Sequence, residues 1–144
     1  MHISNKCSVA VHCLIFINEY GGDNRVTSEL LSLSTGCNPV TVRNILSALK
    51  KARLIDIKPG TGGATLARPA EAVTLYRICM AVDPTAIDRM IGIHPSPSQL
   101  CPVGRTIEPV LRSAYSKVKD SMIEGMDSVT LESMIEDFHK ANGI

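Results

Sequence analysis

Residues 34–53 constrain the fold of this chain most, because they combine a glycine turn, a helix start and an amphipathic helix. The Asn38 side chain can accept from amides of the first turn, and Pro39 suits the first helical position, where no amide donor is needed. Apolar residues then recur at three- and four-residue spacing, which predicts one buried stripe along the helix. That stripe consists of Val42, Ile45, Leu46 and Leu49.

The opposite side of this predicted helix is mainly polar and partly cationic. It carries Val40, Thr41, Arg43, Asn44, Ser47, Lys50 and Lys51. Arginine and asparagine can make bidentate contacts with base edges in the major groove, and lysines suit phosphates. An ordinary solvated helix face is the alternative explanation, so the neighbouring elements decide between the two.

Those neighbours favour a winged helix. We predict a first helix over residues 4–20 and a short helix over 29–33, for which Thr27 and Ser28 are candidate N-caps. Gly36 lies in the turn before Pro39, so the order is that of a helix-turn-helix. Residues 54–58 and 64–67 can form two strands around the turn cluster 59–63, which predicts a β-hairpin wing.

The second half of the chain predicts further helices. A helix over residues 73–82 precedes a proline-rich connection, 92–104, and a long amphipathic helix, 105–125. A generic helix follows at the end. The long helix has a three-to-four apolar spacing that suits pairing with another helix: Ile107, Leu111, Ala114, Val118 and Met122. The fold class is therefore mainly α with a small β-hairpin wing, divided into a winged helix-turn-helix (1–84), a connecting loop (85–104) and a dimerisation region (105–144).

Charge is distributed unevenly along the 144 residues, whose net charge is only +1. Residues 1–69 hold eight Lys/Arg and four Asp/Glu, whereas residues 70–144 hold seven and ten. A basic first half suggests that this part binds an anion.

We expect a cytoplasmic protein, since no signal-peptide pattern is present and five cysteines show no disulfide framework.

No catalytic pattern is evident in the sequence. No Ser-His-Asp or Cys-His arrangement has supporting groups, and the glycines at 60–63 lack the lysine of a phosphate-binding loop. Two cysteines are candidate redox sites. Cys37 precedes the helix at Pro39, whose positive end could favour a thiolate, and Cys101 lies in the proline-rich connection. Ordinary packing or loop roles are the alternative for both, and one cysteine with His94 falls short of a metal site.

Three segments resemble the bacterial winged-helix regulators of the Rrf-two type, the IscR, NsrR and CymR family. They are residues 38–55, 59–69 and 73–78, and the wing motif, glycines followed by Leu-Ala-Arg-Pro, is the most specific part. The resemblance implies a homodimer whose long helices cross and whose recognition helices read a palindromic DNA operator. It also suggests the cluster-free branch, because cluster-binding members carry three closely spaced cysteines where this chain has only Cys101. We therefore predict no cofactor and no metal.

The predicted function is a sequence-specific DNA-binding transcriptional regulator, a repressor, controlled by an effector of unknown identity. Residues 39–47 would read bases, while lysines and the wing would contact the DNA backbone. The predicted DNA-binding set is Thr27, Ser28, Asn38, Pro39, Val40, Thr41, Arg43, Asn44, Ser47, Lys50, Lys51, Gly62, Gly63 and Arg68. Two alternatives remain open at this stage: a thiol- or metal-responsive sensor, and a winged-helix adaptor that binds protein rather than DNA.

Overall fold

The computed structural model describes residues 4–22, 24–58, 60 and 63–144, so the predicted contact residue Gly62 lies outside the described residues. The helices are α1 (Lys6–Tyr20), α2 (Ser28–Thr35), α3 (Pro39–Lys51), α4 (Leu75–Val82), α5 (Pro102–Ser128) and α6 (Leu131–Ala141). Strands β1 (Ile55–Lys58) and β2 (Gly63–Leu66) form one antiparallel hairpin, and a 3-10 turn spans Ala70–Ala72. The predicted winged-helix order is confirmed, with β1 and β2 as the strands of the wing.

Local hydrogen bonds fix the helix-turn-helix. The Thr27 hydroxyl accepts from the Leu30 amide at 3.2 Å and caps α2. Gly36 ends α2 in the left-handed conformation, with φ +72°, which glycine adopts without a steric cost. Asn38 then caps α3, as predicted, by accepting from the Val40 amide at 2.8 Å. These caps and the glycine determine where each helix begins and ends.

The core is aliphatic and surrounds α1. The predicted stripe of α3 is buried, and it packs against α1, α2 and α4. Two α6 residues, Leu131 and Ile135, belong to the same core. Backbone hydrogen bonds hold α6 there, because the Leu131 amide donates to the Val73 carbonyl at 2.7 Å and the Leu75 amide donates to the Val129 carbonyl at 2.8 Å. The last helix therefore packs on the winged-helix body.

Several helix ends differ from the predicted ones by a turn or less. Helix α1 begins at Lys6 rather than Ser4, and α2 extends to Thr35. Helix α4 begins at Leu75 rather than Val73, because Val73 is extended and pairs with Leu131. Helix α5 is longer at both ends than the predicted 105–125. Its first residue is Pro102, which tolerates this position because no amide donor is needed there.

Helix α5 is the longest element, at 27 residues, and none of its residues is buried. It packs on α4, and the Lys119 ammonium lies 3.4 Å from the Asp88 carboxylate in the preceding connection. None of the helices in the described part of the chain is both long and apolar enough to cross a membrane.

Candidate nucleic-acid interface

The outer side of α3 is open to solvent. Val40 is 54% exposed, and Arg43, Asn44 and Ser47 are exposed along the same side. Thr41, Lys50 and Lys51 are exposed as well. Because the opposite stripe is buried against α1 and α2, α3 can offer this face to a partner without disturbing the core. The two lysines lie in the last turn, where the partial negative charge of the helix end stabilises cations.

A concavity of about 470 Å³ lies where α2, α3 and the wing meet. Its lining brings together six of the predicted DNA-binding residues: Thr27, Ser28, Arg43, Ser47, Lys50 and Gly63. Four cations line it, two of them on α3 and two from the loop and wing around it: Arg25, Arg43, Lys50 and Lys58. Four positive side chains around one depression suit the closely spaced phosphates of a nucleic-acid backbone.

One carboxylate faces these cations. Glu29, in the first turn of α2, lies 3.9 Å from the Arg43 guanidinium, and both side chains are exposed. Hydrogen bonding to its own backbone amide, and next to the Ser28 hydroxyl, holds the pKa of the Glu29 carboxyl below its ordinary value. The group is therefore charged at neutral pH. It can orient Arg43 or accept a hydrogen bond from a cytosine amino group.

Other predicted contact residues lie outside this concavity. Thr41 and Asn44 line a smaller cleft, of about 190 Å³, with Lys6 of α1 and Val82 of α4. Arg68 lies at the base of the wing, where its Nε donates to the Arg53 carbonyl at 3.3 Å.

Gly63, the first residue of β2, is buried, and it has a structural reason to be glycine. Its φ is +65°, and an added Cβ would lie 2.7 Å from the Val26 nitrogen. The contacts of these predicted residues with DNA remain predictions.

The predicted contact set leaves out Arg25 and Lys58, although Lys58 flanks the predicted wing turn with a positive charge. Arg25 lies in the loop before α2, and Lys58 ends β1 beside the wing turn. Both are exposed and line the same concavity. A single arginine in a polar loop carries no periodic signal, so only the fold places Arg25 beside α3. The position of Lys58 next to the glycine-rich turn was the available sequence signal.

A second exposed surface runs along α5. Val103 is 67% exposed, Val110 59% and Val118 47%, although all three are apolar. Ala114 is exposed too, whereas Ile107, Leu111 and Met122 are half-buried. These residues include all five of the predicted dimerisation seam. An apolar stripe of this kind on a long helix is typical of a surface that pairs with another helix.

The two candidate redox cysteines differ in their surroundings. Cys37 is half-buried in the turn before α3, where its carbonyl accepts from the Ser32 hydroxyl at 2.5 Å. Cys101 is exposed at the start of α5, and hydrogen bonds from the Gly104 amide and then the Val103 amide lower the pKa of its thiol. Among the described residues, no three His, Cys, Asp or Glu side chains are grouped closely enough to hold a metal ion.

Comparisons with known proteins agree with this geometry. The YwnA protein of Bacillus subtilis (strain 168), an HTH-type transcriptional regulator by name, is 29% identical over 133 residues, which cover 92% of this chain and 96% of YwnA. The structure of T. potens IscR is similar with a TM-score of 0.71 at 22% identity, covering 98% of this chain and 90% of IscR. CymR, the global cysteine regulator of B. subtilis, gives a TM-score of 0.69 at 20% identity, covering 94% and 97% of the two chains.

The likeness to these two structures shows the winged-helix fold. A sequence comparison with a whole family covers most of the chain. The sequence model of the Rrf2 family, described as "Iron-dependent Transcriptional regulator", matches residues 3–137. This match spans nearly the whole chain, from α1 to α6. The family and these relatives are transcriptional regulators rather than enzymes. The chain therefore belongs to the Rrf2 family of transcriptional regulators.

Proposed function

We propose that this protein represses transcription by binding a palindromic DNA operator as a homodimer. The observation that carries the proposal is the exposed face of α3, with Arg43, Asn44 and Ser47 on one side and a fully buried stripe on the other. Arginine can donate to guanine O6 and N7, and asparagine can bind adenine N6 and N7. Both residue types therefore suit direct reading of base edges.

The concavity beside α3 supplies the second part of the interaction. Its cations Arg25, Lys50 and Lys58 would contact phosphates on either side of the base contacts. Phosphate contacts fix the register of a protein on the duplex, whereas base contacts determine which sequence it prefers. In this arrangement the cations of the concavity would position the protein on the duplex, and the exposed face of α3 would read the bases.

The α5 stripe supports the homodimer. One winged helix contacts few base pairs, whereas a two-fold pair doubles the contacts when its recognition helices are about 34 Å apart, one turn of DNA. Pairing of α5 with α5 of a second copy would cover the exposed Val103, Val110 and Val118. A two-fold dimer prefers a palindromic operator for the same reason. Occupation of promoter DNA by such a dimer excludes RNA polymerase, which is the proposed route to repression.

Selection of bound fragments from a random DNA pool would identify the operator and show whether it is palindromic. With that operator, Arg43→Ala should weaken binding by roughly 1–3 kcal/mol and relax the preference at one position of each half-site. Lys58→Ala should instead weaken binding to all sequences alike, because phosphates carry no sequence information.

Lys140→Ala is the matched control, since it removes one positive charge from the exposed surface of α6. It should leave operator affinity unchanged. Equal losses for Arg43→Ala and Lys140→Ala would contradict base reading by Arg43. Recovery of no enriched sequence from the pool would contradict sequence-specific binding and favour a protein-binding adaptor.

A further inference from the structure

One carboxylate lies among the cations of the concavity beside α3. Of the described residues that line this concavity, Glu29 alone is acidic, whereas Arg25, Arg43, Lys50 and Lys58 are cationic. A carboxylate repels phosphates, so Glu29 weakens the general attraction of this surface for a nucleic-acid backbone. Its place in a surface that otherwise suits phosphates therefore indicates a role other than affinity.

The two oxygens of the Glu29 carboxylate have different neighbours. Oε2 accepts a hydrogen bond from the Ser28 hydroxyl at 3.2 Å, and Oε1 lies 3.9 Å from Nη1 of Arg43. The Thr27 hydroxyl caps the same turn by accepting from the Leu30 amide, which fixes the backbone that carries Glu29. The carboxylate is thus anchored on α2 and directed toward α3, and these two helices pack against each other.

The guanidinium of Arg43 has two edges, and Glu29 lies beside only one of them. Nη1 is the nitrogen near the carboxylate. Nε and Nη2 form the other edge, whose two N–H groups match the O6 and N7 acceptors of guanine. Because the group is planar, holding one edge also sets the direction of the other. An exposed ion pair is weak in the free protein, but it strengthens when DNA excludes water from the concavity.

A phosphate is the competing partner for Arg43. Arginine binds phosphate oxygens as well as guanine, and the three other cations of the concavity bring the DNA backbone within reach. An arginine that moves to a phosphate no longer reads a base. A fixed negative charge beside Arg43 disfavours this move, because it repels the phosphate and attracts the guanidinium.

We propose that Glu29 is a positioning residue for DNA recognition, which keeps Arg43 on guanine and away from the phosphates. Arg25, Lys50 and Lys58 then contact the backbone, while Arg43 contacts a base edge. This inference rests on the proposed function and adds the residue that sets the preference for guanine at one position of each half-site. The same charge lowers the affinity for all DNA alike.

Direct contact of Glu29 with a base is the rival explanation, since a carboxylate can accept from the cytosine amino group. The two explanations differ in how far they depend on Arg43. A positioning residue acts only through its partner, whereas a base contact persists when the partner is removed. A double-mutant cycle therefore distinguishes them.

The test compares Glu29→Gln with the wild-type protein on two duplexes: the operator selected from the random pool, and a random-sequence duplex of equal length. Glutamine keeps the shape and removes the charge, and the side chain is exposed. Affinity for the random duplex should rise roughly threefold to tenfold. Its slope of log K against log salt should steepen by about 2, because Arg43 takes up a phosphate in both copies of the dimer. The ratio of operator to random affinity should fall by at least about tenfold.

Glu132→Gln is the matched control. Glu132 is exposed in the first turn of α6, as Glu29 is in the first turn of α2, and it does not line the concavity. This variant should leave both affinities and the slope unchanged. In an Arg43→Ala background, Glu29→Gln should no longer change the ratio of operator to random affinity.

The proposal is overturned if Glu29→Gln keeps the wild-type ratio. It is also overturned if Glu29→Gln lowers the ratio equally with and without Arg43, which would assign the base contact to Glu29 itself. In both cases the wild-type protein still prefers its operator, so the proposed function stands. Recovery of no operator from the pool would instead overturn both proposals.

Discussion

At the scale of single residues, glycines set how closely the wing approaches the helical body. A Cβ at Gly21 would lie 2.5 Å from the Ile17 carbonyl oxygen and 3.0 Å from that of Ala64 in β2. Gly63, next to Ala64 in β2, makes a similarly close approach to the Val26 backbone. The Ala64 amide then donates to the Val26 carbonyl at 3.1 Å. Close backbone packing at these glycines therefore fixes the position of the wing beside α3.

We expect Gly63→Ala to lower the free energy of unfolding by at least about 2 kcal/mol, because φ +65° is strained for alanine and its Cβ would overlap the Val26 backbone. Gly22→Ala is the control, since nothing lies within 4 Å of the added Cβ. Denaturant unfolding monitored by circular dichroism measures both. Equal stability of the two variants would show that the Gly63 approach is not required.

At the scale of elements, α5 is a long helix without a buried side chain, and its stability depends on what covers it. Most helical stability in proteins comes from packing of an apolar face. Contact with α4 and the ion pair of Lys119 with Asp88 hold one side. Val103, Val110 and Val118 stay exposed within one chain, and a second copy would cover them in the proposed dimer.

Leu111→Asp should shift the protein toward monomer and weaken operator binding, because it places a charge in the apolar seam. Ser113→Asp introduces the same charge at an exposed position two residues away, roughly on the opposite side of the helix. It should leave the mass unchanged. Sedimentation equilibrium over a range of concentrations distinguishes the variants, and a fully dimeric Leu111→Asp protein would contradict the choice of seam.

At the scale of the whole molecule, charge is separated between the two halves of the chain. The half with α1 to α3 and the wing carries an excess of cations, and the half with α4 to α6 an excess of carboxylates. A net charge of +1 therefore conceals a basic surface around α3. Such a distribution orients the protein toward DNA before contact is made.

Salt dependence measures this surface directly. If Arg25, Lys50, Lys51 and Lys58 each neutralise a phosphate in both copies of a dimer, log K should fall with log salt at a slope of about −7. Lys58→Ala should make the slope shallower by about 2. Fluorescence anisotropy at several salt concentrations provides the slopes. A slope near zero for the wild-type protein would exclude a phosphate-based interaction.

The local elements were predictable because their signals are local. Asn38 and Pro39 mark the start of α3, Gly36 marks the turn before it, and the spacing of Val42 to Leu49 identifies its buried side. Contacts between distant segments carry no such signal. The placement of Arg25 in the same concavity as Arg43, for example, does not follow from spacing along the chain. The predicted ends of α5 were each wrong by three residues. The first and last turns of this helix, at Pro102 and Ser128, are largely exposed and carry no periodic pattern of burial.

The docking of α6 has a practical consequence for protein engineering. Leu131 and Ile135 fill the interior next to α1, although they follow α5 in the chain. A shortened protein that ended between residues 84 and 105 would have a hole in that interior and would uncover Val73, which Leu131 covers in the intact protein. The winged-helix part is therefore not portable by itself. Chimaeras that exchange heads between regulators of this kind need the final helix transplanted together with the first four.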